Sequence, residues 1–166
     1  MSSSGLKPRL LIAYDGSDVA NAAVRSAAEL FPGSAALVVT AWEPGLSAMG
    51  ALSPGLDVAG TVQVPLDPEL VSEVDDAREH HAALIAREGA RLAGSLGLDA
   101  EPFAIPGGAH VPETIVDLAV EREAAAVVVG SHGISGLRSH LLGSTSRRVL
   151  ALCKLPVVVV RADGRR

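Results

Sequence analysis

The sequence is poor in cysteine, in aromatic residues and in positive charge. Cys153 is the only cysteine, so no disulfide can form within the chain. Aromatic residues make up 2% of the 166 residues, and 19 acidic residues outnumber 14 lysines and arginines, which gives a net charge of −5. Nucleic-acid binding needs a basic surface and, for single strands, aromatic side chains that stack on bases. We therefore expect no nucleic acid among the partners of this protein.

Long apolar runs are also missing. No stretch approaches the roughly 20 apolar residues that span a bilayer, and the short run 10–14 is too brief for the core of a signal peptide. The 48% hydrophobic and 20% charged residues are typical of a globular protein. We therefore expect a single domain, 1–166, that lies in the cytoplasm and does not contact a membrane.

Apolar strands and amphipathic helices alternate along the chain. Continuous apolar runs, typical of strands covered on both faces, occupy 9–14, 35–42, 124–129 and 156–161, and 99–105 is a weaker candidate strand. The predicted helices are 18–30, 68–96, 111–123 and 143–153, of which the second has apolar residues recurring at helical spacing, among them Leu84, Ile85, Leu92 and Leu96. This alternation predicts an α/β fold with an open five-stranded parallel sheet and helices on both faces.

The segment 43–67 has a different composition. It contains four glycines, three prolines and little charge. Loops of this length within a compact domain are usually functional or disordered. The composition leaves two interpretations open, a flexible linker and a lid or partner surface.

The loop 130–146 has the composition of an anion site. Ligands of open parallel sheets bind at the carboxyl ends of the strands, and this loop follows the fourth predicted strand. Its glycines allow the backbone to approach a ligand, and a helix that starts near Ser144 offers unpaired N–H groups. The hydroxyls of Ser144, Thr145 and Ser146 add further donors. Taken singly, each feature also fits a tight turn or a helix cap.

The spacing Gly130-x2-Gly133-x9-Gly143-Ser144 differs from the P-loop and from the dinucleotide-binding motif. Together with Ala-Tyr-Asp-Gly-Ser at 13–17 and Lys-Leu-Pro-Val-Val-Val-Val at 154–160, it resembles the ATP-binding members of the universal stress protein family. The resemblance covers nearly the whole chain. It implies the strand order 3-2-1-4-5 of the Rossmann-like, adenine nucleotide alpha hydrolase-like folds. It also implies a homodimer through the last strand, which would otherwise expose an apolar edge.

The resemblance further implies a site for ATP, together with magnesium. In that site Asp15 would hold the ribose, and Ala13 and Ala41 would line the adenine pocket. The ribose and phosphates would contact Val129, Gly130, His132 and Gly133, and the phosphate tail would contact Gly143, Ser144 and Thr145. Asp15 has a second interpretation, as the residue of an Asx turn before the first helix.

Three functions stay open at this stage. The resemblance implies a nucleotide-dependent regulatory dimer in the stress response, and the alternatives are a slow ATP hydrolase and a dimeric interaction protein that binds no nucleotide. Hydrolysis requires a base or a water-orienting group near the terminal phosphate, and 130–146 contains no carboxylate, so we expect binding and no catalytic residue. We expect no metal site either, because the adjacent His80 and His81 would point to different faces of a helix.

Overall fold

The computed structural model describes residues 8–44, 68–133 and 142–161. Its strands are β1 (Arg9–Ala13), β2 (Ala35–Trp42), β3 (Asp99–Pro106), β4 (Ala126–Gly130) and β5 (Val157–Val160). They form one parallel sheet in the order β3-β2-β1-β4-β5, so the predicted fold class and strand order are confirmed. The predicted linker or lid, 43–67, lies outside the described residues except for Glu43 and Pro44.

Four α-helices are found among these residues. They are α1 (Asp18–Leu30), α2 (Pro68–Ser95), α3 (Val111–Glu121) and α4 (Ser144–Leu152), and a 3-10 turn, Gly108–His110, precedes α3. The third helix is two residues shorter than predicted because Glu123 has a positive φ of 53°. The N–H of Ala124 then closes the helix on the carbonyl of Ala119 at 2.8 Å.

Helices cover the sheet on both faces, which explains the continuous apolar strands. On one face, Leu10 and Ile12 of β1 pack in a core with residues of α1 and α2. On the other face, Leu11 packs in a second core with residues of α3 and α4. Successive residues of β1 therefore enter opposite cores, and each must be apolar.

Small residues form the buried face of α2. Ala82, Ala86 and Ala93 are at most 3% exposed, whereas Leu84 and Leu96 are 47% and 42% exposed. Ile85 and Leu92, which share the predicted apolar spacing, are partly buried and pack against the core. The sequence therefore predicted the helix correctly and its buried face only in part.

Tyr14 fixes the end of β1, from which the candidate site begins. Its N–H donates to the carbonyl of Val39 at 2.8 Å, and its own carbonyl accepts from Thr40 Oγ1 at 2.8 Å. The phenol hydroxyl donates to Asn21 Oδ1 at 2.8 Å. Burial raises the pKa of this hydroxyl, and the carboxylates of Glu88 and Asp15 raise it further. The phenol therefore stays protonated at neutral pH and keeps its hydrogen bond to Asn21.

Candidate functional site

A cavity of about 280 Å³ lies at the carboxyl ends of β1, β2 and β4. The ten residues that the family resemblance assigns to a nucleotide site all line it: Ala13, Asp15, Ala41, Val129, Gly130, His132, Gly133, Gly143, Ser144 and Thr145. These residues come from four separate segments of the chain, and folding brings them together. Their contacts with a nucleotide stay a prediction.

Ser131 links the glycine loop, which starts at the end of β4 with Gly130 and Gly133, to the start of α4. This residue is 1% exposed, and its N–H donates to the carbonyl of Val160 at 2.7 Å. Its carbonyl accepts from the N–H of Gly143 at 2.7 Å and from Ser146 Oγ at 3.1 Å. Its hydroxyl lies 2.9 Å from Nδ1 of His132. The loop after β4, the strand β5 and the N-terminus of α4 are thus joined through one buried serine.

Neighbouring atoms lie close to the glycines at 130, 133 and 143 and leave little space for a side chain. A Cβ on Gly133 would lie 2.9 Å from Oδ2 of Asp15, and one on Gly130 would lie 2.9 Å from Cγ1 of Val19. Gly143 has an ordinary φ of −59°, but a Cβ there would lie 3.3 Å from the carbonyl oxygen of Ser131. A side chain at Gly130 or Gly133 would force a neighbour to move, and one at Gly143 would fit tightly, although none of the three glycines has a positive φ.

The N-terminus of α4 provides the amide donors of the cavity. Gly143 is the N-cap and makes no side-chain cap, so the first N–H groups of the helix, from Ser144 onward, lack intrahelical partners. The positive end of the helix dipole lies at the same place. The Ser146 hydroxyl, which the sequence suggested as a donor, is buried and hydrogen-bonded to the carbonyls of Ser131 and Gly143. The exposed donors are therefore Ser144 and Thr145.

The position of Asp15 is compatible with both roles suggested by the sequence, the Asx turn and the contact with a ribose. Its Oδ1 accepts from the N–H of Ser17 at 3.0 Å, which is an Asx turn. Ser17 in turn caps α1, since its Oγ accepts from the N–H of Ala20 at 3.1 Å. The other oxygen, Oδ2, lies toward Gly133 in the cavity lining. One oxygen holds the turn, and the other faces the candidate ligand position.

Sequence reasoning missed part of the cavity lining. Glu43 follows β2, and Val111 and Ile115 belong to α3, yet all three line the cavity. The strand order could have pointed to Glu43, because β2 neighbours β1 and its carboxyl end reaches the same edge of the sheet. The segment 130–146 contains no carboxylate, but the fold brings Asp15 and Glu43 into the same cavity lining as Gly133, so acidic side chains do lie beside this segment.

An ion pair lies at the rim of the site, between α3 and α4. Arg148 Nε and Nη2 lie 2.9 and 2.8 Å from the same oxygen, Oε1 of Glu113. A hydrogen bond from its own backbone N–H holds the pKa of the Glu113 carboxyl below its usual range, and Arg148 lowers it further. The carboxylate is therefore charged at neutral pH and remains available to the arginine.

Two further features of the described residues bear on ligands. They contain no group of three histidine, cysteine, aspartate or glutamate side chains that could hold a metal ion. None of the helices in 8–44, 68–133 and 142–161 combines the length and apolar character needed to cross a membrane.

Comparison with known proteins identifies the family of this chain. The sequence model of the universal stress protein family matches residues 8–161. The chain is 30% identical over 153 residues to the universal stress protein YxiE of Bacillus subtilis, covering 92% of this chain and 98% of the relative. It is 31% identical over 154 residues to a universal stress protein of Thermus aquaticus, covering 92% and 97%.

Solved structures with the same fold include several universal stress proteins, two of them in complex with a nucleotide. UspA from Lactobacillus plantarum has a TM-score of 0.64 at 21% identity, covering 95% of this chain and all of that chain. A universal stress protein in complex with cAMP has a TM-score of 0.60 at 23% identity, covering 96% and 100%. One from Archaeoglobus fulgidus in complex with dAMP has a TM-score of 0.56 at 23% identity, covering 93% and 97%. By the family match and the two sequence relatives, the chain belongs to the universal stress protein family.

Proposed function

We propose that the cavity binds ATP and that the protein is a nucleotide-dependent regulatory homodimer of the stress response. One observation carries the proposal: Asp15, the glycine loop and the uncapped N-terminus of α4 converge on a single cavity. The cAMP and dAMP complexes of proteins with this fold support an adenine nucleotide as the ligand class. The half-buried Cys153 fits a reducing compartment, and a cytoplasmic location is part of the proposal.

The cavity offers a suitable surface for each part of ATP. Ala13, Val39 and Ala41 give an apolar wall for the base, and Asp15 Oδ2 faces the place where a ribose hydroxyl would donate. The first amides of α4 and the hydroxyls of Ser144 and Thr145 suit phosphate oxygens. Magnesium would be bound mainly by the phosphates and by water, as is usual for nucleotide sites.

A second candidate function, slow ATP hydrolysis, is favoured by one observation. Glu43 lines the cavity, and glutamate is a residue type that can orient a water molecule or accept a proton. Release of inorganic phosphate from ATP over several turnovers tests it. Nucleotide binding without such release leaves the regulatory function as the better account.

Asp15 provides a test of the ligand position. Asp15→Asn keeps an oxygen that can accept from Ser17 N–H, but it removes the charged acceptor from the cavity. We expect ATP affinity, measured by titration calorimetry, to fall by about tenfold or more, because a hydrogen bond to a charged group contributes about 1.5–3 kcal/mol. The melting temperature should change little.

Asp15→Ala is the matched control for the turn. It removes both oxygens, so it should lower ATP affinity as Asp15→Asn does and also lower stability by about 1 kcal/mol through the lost turn. If Asp15→Asn binds ATP like the wild type while Asp15→Ala is destabilised, the carboxylate serves the turn and not the ligand.

The proposed dimer forms through β5. The carbonyls of Pro156 and Val160 accept from the N–H groups of Val127 in β4 and of Ser131 directly after it, at 2.9 and 2.7 Å. Because peptide groups alternate in direction along a strand, those of Val157 and Val159 point away from β4. The four valines of β5 are only half-buried. A second copy that pairs with this edge would satisfy the outward groups and cover the apolar side chains.

Val159→Pro tests this edge. Proline removes an outward N–H but no hydrogen bond to β4, and prolines are tolerated on edge strands. We expect the variant to be a folded monomer in sedimentation velocity at concentrations where the wild type is a dimer. Val158→Pro is the control, since it removes an N–H that points to β4 and should destabilise the fold. A monomeric wild type, or a Val159→Pro variant that remains dimeric, contradicts pairing through β5.

A further inference from the structure

A second cavity, of about 790 Å³, opens beside the first at the start of α4. The two cavities share Glu43, Val111, Ser144 and Thr145 in their linings. A phosphate bound by the first amides of α4 would therefore lie at the boundary between them. Any further phosphates of the same nucleotide would extend into the second cavity.

Two arginines of α4 line this second cavity. Arg147 is exposed, and the side chain of Arg148 is 60% exposed while it contacts Glu113. The contact uses Nε and Nη2 of Arg148, so Nη1 takes no part in it. Guanidinium groups bind phosphate oxygens well because their planar array of donors matches the geometry of the anion.

Two acidic residues also line the second cavity, and their negative charges oppose the positive charges of the arginines. Glu43 and Glu113 would repel a phosphate chain that enters the second cavity. The charges of Arg147 and Arg148 offset them. A nucleoside monophosphate whose phosphate ends at Ser144 and Thr145 would place no further phosphate in this second cavity and should therefore depend less on the charges of the arginines and carboxylates there.

We propose that the second cavity holds the terminal phosphates of the nucleotide, and that Arg147 and Arg148 make the protein prefer nucleoside triphosphates to monophosphates. Glu113 competes with the terminal phosphate for Arg148 and so limits this preference. The inference rests on the proposed function, because it assumes that the first cavity holds the nucleoside.

Calorimetric titrations of the full chain with ATP and with AMP, both in the presence of magnesium, test the proposal. The wild type should bind ATP at least about tenfold more tightly than AMP. Arg147→Ala and Arg148→Ala should each lower ATP affinity by about five- to tenfold and leave AMP affinity unchanged. Arg87→Ala, on α2 and in neither lining, is the matched control and should change neither affinity.

Glu113→Gln distinguishes two roles of Glu113, competition with the terminal phosphate for Arg148 and a purely structural link between α3 and α4. Removing the competing charge should raise ATP affinity severalfold with no change for AMP. If the ion pair only ties α3 to α4, Glu113→Gln and Arg148→Ala should both weaken both nucleotides, which would overturn the proposal.

The remaining outcomes are also decisive. Equal affinities of the wild type for ATP and AMP overturn the selectivity while leaving nucleotide binding in place. Equal losses for both nucleotides in the arginine variants overturn the assignment of the terminal phosphates to the second cavity. If neither nucleotide binds any of the proteins, the proposed function itself fails, and this inference fails with it.

Discussion

Gly133→Val should lower ATP affinity by about a hundredfold or more without unfolding the protein. The new Cβ would lie 2.9 Å from Asp15 Oδ2, so the carboxylate must move, and the branched side chain would take up space in the cavity that Gly133 lines. Two charge-assisted hydrogen bonds of about 1.5–3 kcal/mol each would be lost, which corresponds to this change in affinity. Gly133 is exposed, so the core is not disturbed.

A double-mutant cycle shows whether Gly133 acts through Asp15. Gly133→Ala should weaken ATP binding in the wild-type background but cost little more in the Asp15→Ala background, where no carboxylate remains to be displaced. Circular dichroism and the melting temperature serve as fold controls. A folded Gly133→Val variant with the affinity of its parent would show that this glycine lies outside the binding site.

Gly89→Ala should lower the free energy of unfolding by about 1–3 kcal/mol, the typical cost of overpacking a core. The added Cβ would lie 2.7 Å from Cδ1 of Tyr14 and 2.9 Å from its Cε1. The ring cannot easily move aside, because the phenol is hydrogen-bonded to Asn21 and the main chain is held by Val39 and Thr40. Helix propensity by itself predicts the opposite sign, since alanine stabilises helices relative to glycine by about 0.5–1 kcal/mol.

Gly94→Ala is the matched control on the same helix. A Cβ at Gly94 would have no neighbour within 4 Å, so only the helix-propensity gain, up to about 1 kcal/mol, is expected. Urea unfolding at equilibrium measures both variants. Stabilisation of Gly89→Ala to the same extent as Gly94→Ala would contradict the close contact between α2 and Tyr14.

The sequence allowed the elements to be predicted because their signals are local. Continuous apolar residues at 35–42 mark β2 at its full observed length, and Gly97, with a φ of 91°, follows the end of α2 as predicted. The strand order came from the family resemblance. Apolar periodicity does not encode which parallel strands are neighbours, so the residue pattern leads only to the fold class.

The parts of the site that were missed depend on contacts between distant residues. Arg148 meets Glu113 across 35 positions, and Ser131 bonds to Val160 and Gly143, and none of these pairings has a local signature. The buried face of α2 was predicted only in part for a related reason. Hydrophobicity favours leucines as core residues, but Leu84 is exposed while Ala86 is buried, and Gly89 stands where a Cβ would meet the ring of Tyr14.

A titration of ¹⁵N-labelled protein with ATP and magnesium, followed through the backbone amide signals, tests nucleotide binding in the first cavity most directly. We predict saturable shifts that are largest at Gly133, Ser144 and Thr145, whose backbone lines that cavity, and negligible at Arg87 on α2. Absence of any saturable shift, or shifts confined to residues outside the cavity lining, would contradict the assignment of this cavity as the nucleotide site.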